Sequence, residues 1–303
     1  MASGRAFGAL HPSLGSRLSR GCMYVFLTLF ALSIVYPFWV TLITSFSTVE
    51  EVTSLGFKFW ISEWSFGAYQ FAFSEYGNAQ VAYYNSIYRT VLGTLVAVAM
   101  TLLAAYPLAK RNLPARNLLT IVLLITLFFA GGLVPNYLLI RRLGLIDTRW
   151  ALILPLAVNG FYIIIARNFL MTIDPAYEDA ALVDGAGYPS ILARIIVPLS
   201  KPIIATLALW TAVSHWNAWF DALIYIRSER KIVLQTLLRR MIQQIQEALL
   251  GVDRFRAVED LPTLPTEAAQ AALTILTIGP IVLLYPFLQK YFIKGIFIGS
   301  LKG

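Results

Sequence analysis

Residues 174–202 read DPAYEDAALVDGAGYPSILARIIVPLSKP. Their local chemistry predicts two short helices joined by a tight turn. Asp174 is a good N-cap, and Pro175 suits the first helical position. Glu178 and Asp179 sit near the positive end of that first helix. Gly185 can end it in a left-handed turn. Pro189 can open the second helix, and Pro198 and Pro202 mark the entry into the apolar stretch that follows. Taken alone, this is a capped helix–turn–helix with no assigned task.

Working outward, the segment lies between long apolar blocks. The chain has 303 residues, 58% of them hydrophobic and 13% charged, with a mean hydropathy of +0.69. A soluble domain carries about 25% charged residues. Windows 21–49, 90–109, 117–140, 202–220 and 268–289 contain no Asp, Glu, Lys or Arg. A helix needs about 20 residues to cross a bilayer core. The expected fold class is therefore an all-α integral membrane protein. Its six expected spans cover about 22–46, 86–109, 117–140, 150–171, 202–226 and 269–292. Residues 1–21 form an N-terminal tail, 22–293 the membrane domain and 294–303 a C-terminal tail.

Charge sets orientation only in part. Apart from Arg89, Lys and Arg divide twelve against eleven between the two sides, which decides nothing by the positive-inside rule. The first span is clearer: Arg5, Arg17 and Arg20 precede it, and Glu50 and Glu51 follow. Both termini are accordingly placed in the cytoplasm. The net charge of +8 then reflects basic residues beside spans rather than nucleic-acid binding. Arg89, at the external end of the second span, is expected to snorkel to the interface.

Two external loops stand out. Residues 47–83 hold Phe57, Phe59, Trp60, Trp64, Phe66, Tyr69, Phe71 and Phe73, either an interfacial aromatic belt or a surface for a partner protein. The loop at 227–268 contains Leu234, Leu237, Leu238, Met241, Ile242, Ile245 and Leu249 at helical spacing. Gln235, Arg239, Gln243 and Gln246 fall largely on other faces. This predicts an amphipathic helix lying on the membrane surface or against a partner.

Much chemistry is absent. One cysteine, Cys22, permits no intrachain disulfide, and two histidines, His11 and His215, make a poor metal site. There is no phosphate-binding G-x-x-x-x-G-K-[ST], no H-E-x-x-H and no G-x-S-x-G. Asp221 is the one acidic residue placed inside a span. No catalytic residue and no metal ligand is expected.

The spacing within residues 174–202 carries more. Asp179-Ala180-Ala181 is followed by three residues, Gly185, nine residues, and then Ile195-Ile196-Val197-Pro198. This resembles the cytoplasmic loop of binding-protein-dependent ABC importer permeases, E-A-A, three residues, G, nine residues, I-x-L-P. Asp179 stands in place of Glu and Val197 in place of Leu. Asp184-Gly185-Ala186 matches the D-G-A core. Asn85-Ser86 and Trp216-Asn217 look like elements common in these permeases, and the glycine-punctuated C-terminus, residues 294–303, resembles the tail of the maltose-type second permease subunit. Residues 234–238 and 285–290 look like the oligosaccharide subgroup of pectin- or alginate-fragment importers.

The resemblance implies a permease subunit of an ATP-driven importer, taking an oligosaccharide from an extracytoplasmic solute-binding protein. It implies a bacterial inner-membrane location, a homologous permease partner and two ATPase subunits that carry ATP and Mg; no cofactor is expected on this chain. Residues 174–198 would be the coupling loop. Glu178, Asp179, Ala180, Ala181, Asp184, Gly185, Ala186 and Pro198 would meet the ATPase, the small residues allowing close approach and the acids taking charge-assisted hydrogen bonds. Gly299, Lys302 and Gly303 would reach the ATPase dimer from the tail. Asn159, His215, Trp216, Asn217, Trp219 and Asp221 are candidates for the sugar path, or else helix–helix contacts and interfacial anchors. Import of a non-sugar solute, a motif-poor membrane enzyme and a channel stay open as alternatives.

Overall fold

The computed structural model describes residues 14–48, 51–52, 59–74, 78–129, 131–249 and 267–283. Among these residues there are helices and turns and no strand.

Helix α1, Leu14–Thr44, is 31 residues long, roughly 46 Å at the usual helical rise. Its flank exposes Val25, Phe26, Leu29, Phe30, Leu32 and Val35, a surface suited to hydrocarbon. The aromatic loop folds back on its end. Trp39 Nε1 donates to the Phe59 carbonyl at 2.9 Å, and Phe46 packs on Trp64, Phe66 and Tyr69. Helix α2, Gly67–Phe73, closes this loop. Phe57 lies outside the described residues.

Helix α3, Ala79–Ala109, is the centre of the fold. Gly93, Ala97, Thr101 and Ala105 recur every fourth residue and are all buried. Such a small-residue stripe lets helix backbones approach closely in a membrane.

The third apolar segment, 117–140, is not one span-long helix. It divides into α4, Arg116–Phe128, and α5, Leu133–Arg142. Gly131-Gly132 intervenes, with Gly132 at φ +83°, a left-handed conformation that side chains oppose. The fourth segment, 150–171, is also broken. Two tight 3₁₀ turns, Arg149–Leu152 and Leu154–Leu156, precede α6, Gly160–Leu170, with a bend of 50°. Pro155 removes a backbone donor inside the second turn.

The decisive segment folds as its residues suggest. Helix α7 covers Ala176–Val183 and α8 covers Tyr188–Leu199, with a π-helical stretch at Leu192–Ile196. At Ser200 the chain turns 83° into α9, Lys201–Asn217. The fifth segment, read as a single span to residue 226, stops at Ala218, whose extended backbone separates α9 from α10, Phe220–Tyr225. Helix α11, Leu234–Leu249, and α12, Glu267–Leu283, follow.

The two larger apolar clusters among the described residues sit at opposite ends of α3. At the C-terminal end of α3, Ala105, Tyr106 and Leu108 meet Ile163, Ala166 and Leu170 of α6, Ala181 of α7, Ile191 and Ile196 of α8, and Ile203 and Leu207 of α9. At the opposite end, Ala79 and Ala82 meet Trp216, Leu234 and Leu273, with Leu237, Leu238 and Met241 packed around them. The amphipathic helix α11 thus lays this apolar side on the chain's own bundle, where the sequence suggested a membrane surface or a partner.

Candidate functional site

At the C-terminal end of α3, α7 is a short helix with a finished terminus. The Asp174 carboxylate accepts from the Ala176 N–H at 3.0 Å. Ala186 N–H donates to the Ala181 carbonyl at 2.9 Å and Gly185 N–H to Leu182 at 3.0 Å. With Gly185 at φ +80°, this is a Schellman ending.

Glu178 anchors the helix to the bundle. It pairs with Lys110, the residue just past α3, and accepts from the Tyr106 hydroxyl at 3.2 Å. The Lys110 ammonium also sits 4.3 Å from the centre of the Tyr106 ring. Burial pulls the Lys110 ammonium below its usual range, and the negative charge of Asp179 opposes that shift. Glu178 therefore faces inward. Asp179, Ala180, Asp184 and Gly185 are exposed, Ala186 is half-buried, Ala181 is buried and Pro198 is exposed. Beside them Tyr177 and Val183 stand out, Val183 at 87% exposure. The result is a rigid helix fixed on one side and bare on the other, with two free carboxylates among small residues. Tyr106 and Lys110 are the partners that sequence reasoning missed; the charge of Lys110 directly after a long apolar run was the available signal. Gly299, Lys302 and Gly303 lie outside the described residues.

Away from α7, the six path candidates separate between the middle of the bundle and its opposite end. Asn159 caps α6, its Oδ1 accepting from the N–H groups of Phe161 and Tyr162. His215 is 1% exposed and lies against Gly93. Trp216 is buried and donates through Nε1 to the Thr277 carbonyl at 2.9 Å. Asp221 forms an ion pair with Arg89, and Arg89 Nη1 also donates to the Ala218 carbonyl at 3.0 Å. Arg89 does not snorkel: it is 2% exposed, because a carboxylate and a freed carbonyl within the protein satisfy it more closely than the interface would. Asn217 and Trp219 remain beside a cleft that includes Trp219, Gln235, Leu238, Arg239, Ile242 and Gln243, with a volume of ≈ 320 Å³. The Arg239 guanidinium carbon stands 3.9 Å from the centre of the Trp219 ring. Among the described residues, no group of three or more His, Cys, Asp or Glu side chains is placed to hold a metal.

The chain matches, over residues 2–298, the family described as binding-protein-dependent transport system inner membrane component. The chain belongs to this family. The permease is 38% identical, over 95% of its length and 99% of the relative's, to the polygalacturonan/rhamnogalacturonan transport system permease protein YtcP of Bacillus subtilis. It is 37% identical to protein LplC of the same organism, covering 97% and 98% of the two chains. Among solved structures it superimposes with a TM-score of 0.80, at 31% identity, on a chain of a bacterial ABC transporter involved in the import of the acidic polysaccharide alginate. That match covers 92% of this permease and 98% of the other chain. The resemblance read from residues 179–198 therefore holds. The permease is a membrane transport subunit of an ABC importer, and the enzyme reading falls away because its relatives are transport subunits.

Proposed function

We propose that this permease carries an oligosaccharide of the pectin- or alginate-fragment kind across the bacterial inner membrane. It does so as one of two homologous permease subunits, with two ATPase subunits that bind ATP and Mg and a solute-binding protein that delivers the cargo. The bare face of α7 is the observation that carries the reading. Asp179, Asp184 and the small residues Ala180, Gly185 and Ala186 offer an ATPase close approach and charge-assisted acceptors. Glu178 ties the same helix to α3, so a push on α7 is transmitted to the bundle as a rigid-body movement. The cargoes of its relatives, polygalacturonan/rhamnogalacturonan and alginate, support a sugar cargo.

In this arrangement the six apolar segments cross the membrane, the broken ones as helix pairs, with α7 and both termini in the cytoplasm. The tail residues Gly299, Lys302 and Gly303 reach the ATPase dimer. The opposite end, with Asn217 and Trp219, faces the solute-binding protein.

The test is a pull-down of the tagged chain from its native membrane, with mass spectrometry of the eluate. The expected eluate contains a second permease, an ATPase and a solute-binding protein. Recovery of this chain alone, in a detergent that preserves known importers, overturns the proposal.

A further inference from the structure

The cleft beside Trp219 has a chemistry that the coupling reading does not use. Gln235, Arg239 and Gln243 are spaced four residues apart on α11, and so share one face of that helix. All three line the cleft with Trp219. Thr236 Oγ1 donates to the Trp219 carbonyl at 3.1 Å, which fixes this helix against the indole. Gln235 Nε2 reaches Asn217 Oδ1 at 3.5 Å. Neighbouring cations are already occupied: Arg240 pairs with Glu229, and Lys231 with Asp147. Among the described residues no carboxylate pairs with Arg239. Its guanidinium instead stacks over the indole, an arrangement that holds the planar fork in place while its edge donors stay open.

We propose that this cleft is a uronate subsite, in which Arg239 grips the carboxylate of an acidic sugar. This rests on the reading of the chain as an oligosaccharide permease and names the cargo's charge. The parts suit a uronate and exceed the needs of a neutral sugar. The guanidinium fork matches a carboxylate in two-point fashion. The amides of Gln235 and Gln243 both donate and accept, as ring hydroxyls require. The indole is already taken up by the guanidinium, and its part is to hold that cation in place for the sugar. The site lies at the end of the bundle opposite α7, where cargo from a binding protein arrives.

The test uses the assembled importer in lipid nanodiscs, without the binding protein. Calorimetry measures trigalacturonate and its fully methyl-esterified form, which lacks the charges. The expected result is that Arg239→Gln weakens trigalacturonate binding about tenfold or more, as loss of a charge-assisted pair does, and changes the ester by less than about twofold. Arg239→Lys, which keeps the charge and loses the fork, falls between. Gel filtration of the intact complex establishes that each variant is folded. Equal effects on acid and ester, or no effect on either, overturn the subsite. Uptake of trigalacturonate into proteoliposomes by the unmodified importer, with its binding protein present, is measured separately. Failure there, for trigalacturonate and for alginate trimers alike, refutes the acidic-sugar cargo itself.

Discussion

Arg89 and Asp221 stand 132 residues apart in the chain and form an ion pair inside the bundle. The pair joins α3 to α10, and Arg89 also holds the Ala218 carbonyl that the break after α9 sets free. Arg89 is buried and Asp221 partly exposed; a buried cation is tolerated when paired, and removing its carboxylate leaves it stranded. Asp221→Asn should destabilise the protein by about 3–5 kcal/mol, read as a lowered melting midpoint in detergent. The double change Arg89→Met with Asp221→Leu should recover most of that loss. An unchanged midpoint in the single variant would show that the pair does not hold the two helices.

Gly93 and His215 make a second, steric pairing between α3 and α9. A Cβ at position 93 would sit 2.5 Å from His215 Nε2, and the imidazole is buried. Gly93→Ala should therefore cost about 1–3 kcal/mol through overpacking. Adding His215→Ala should return part of it. A wild-type midpoint for Gly93→Ala would mean that the ring has room to move.

Gly185 tests the coupling role proposed for α7. A Cβ there meets nothing within 4 Å in this chain, while φ is +80°. Gly185→Val should cost the isolated chain only about 1–2 kcal/mol of backbone strain and leave insertion intact. In the assembled importer it should uncouple ATP hydrolysis from transport. Normal transport by this variant refutes α7 as the lever.

Glu178 tests the anchor instead of the docking face. Glu178→Ala removes the acceptor shared by Lys110 and Tyr106. The pair is partly exposed, so stability should fall by only about 1 kcal/mol. The ATPase should still bind, but more ATP should be hydrolysed per solute moved. An unchanged ratio would place the mechanical link elsewhere.

Asp147 gives a pH signature. Its carboxylate accepts from the backbone N–H groups of Arg227 and Ser228 and from Lys231. The Ser228 N–H, with Arg227 and Lys231 adding to it, holds this carboxyl below the usual carboxylate range. Folding thus favours the ionised form. That stabilisation is complete above the ordinary aspartate pKa of about 3.9 and is lost as pH falls through the lowered folded value. Asp147→Asn should lower the melting midpoint at pH 7, and the gap to wild type should close as the pH drops below about 4. A gap independent of pH would assign the effect to shape and not charge.

Long-range contacts separate what was legible in the chain from what was not. The helix boundaries of residues 174–202 follow from nearby side chains: Asp174 caps, Gly185 turns left-handed and Pro189 sits in the first turn of α8. The apolar character of the intervening segments was equally legible, since it depends on composition. The breaks inside them were less legible. Gly131-Gly132 and Pro155 signal irregularity, but an apolar window hides it. The stop at Ala218 has no local signal of its own and coincides with the bond from Arg89.

The sequence by itself determined the membrane class, the family and the shape of α7, because each rests on composition or on residues within a few turns. Tertiary structure decided which faces remain available. It turned Glu178 inward and left Asp179 out, used Trp216 and Asp221 for internal bonds, and brought Arg239 over Trp219. Those outcomes depend on residues tens to more than a hundred positions apart, whose pairing no local periodicity encodes.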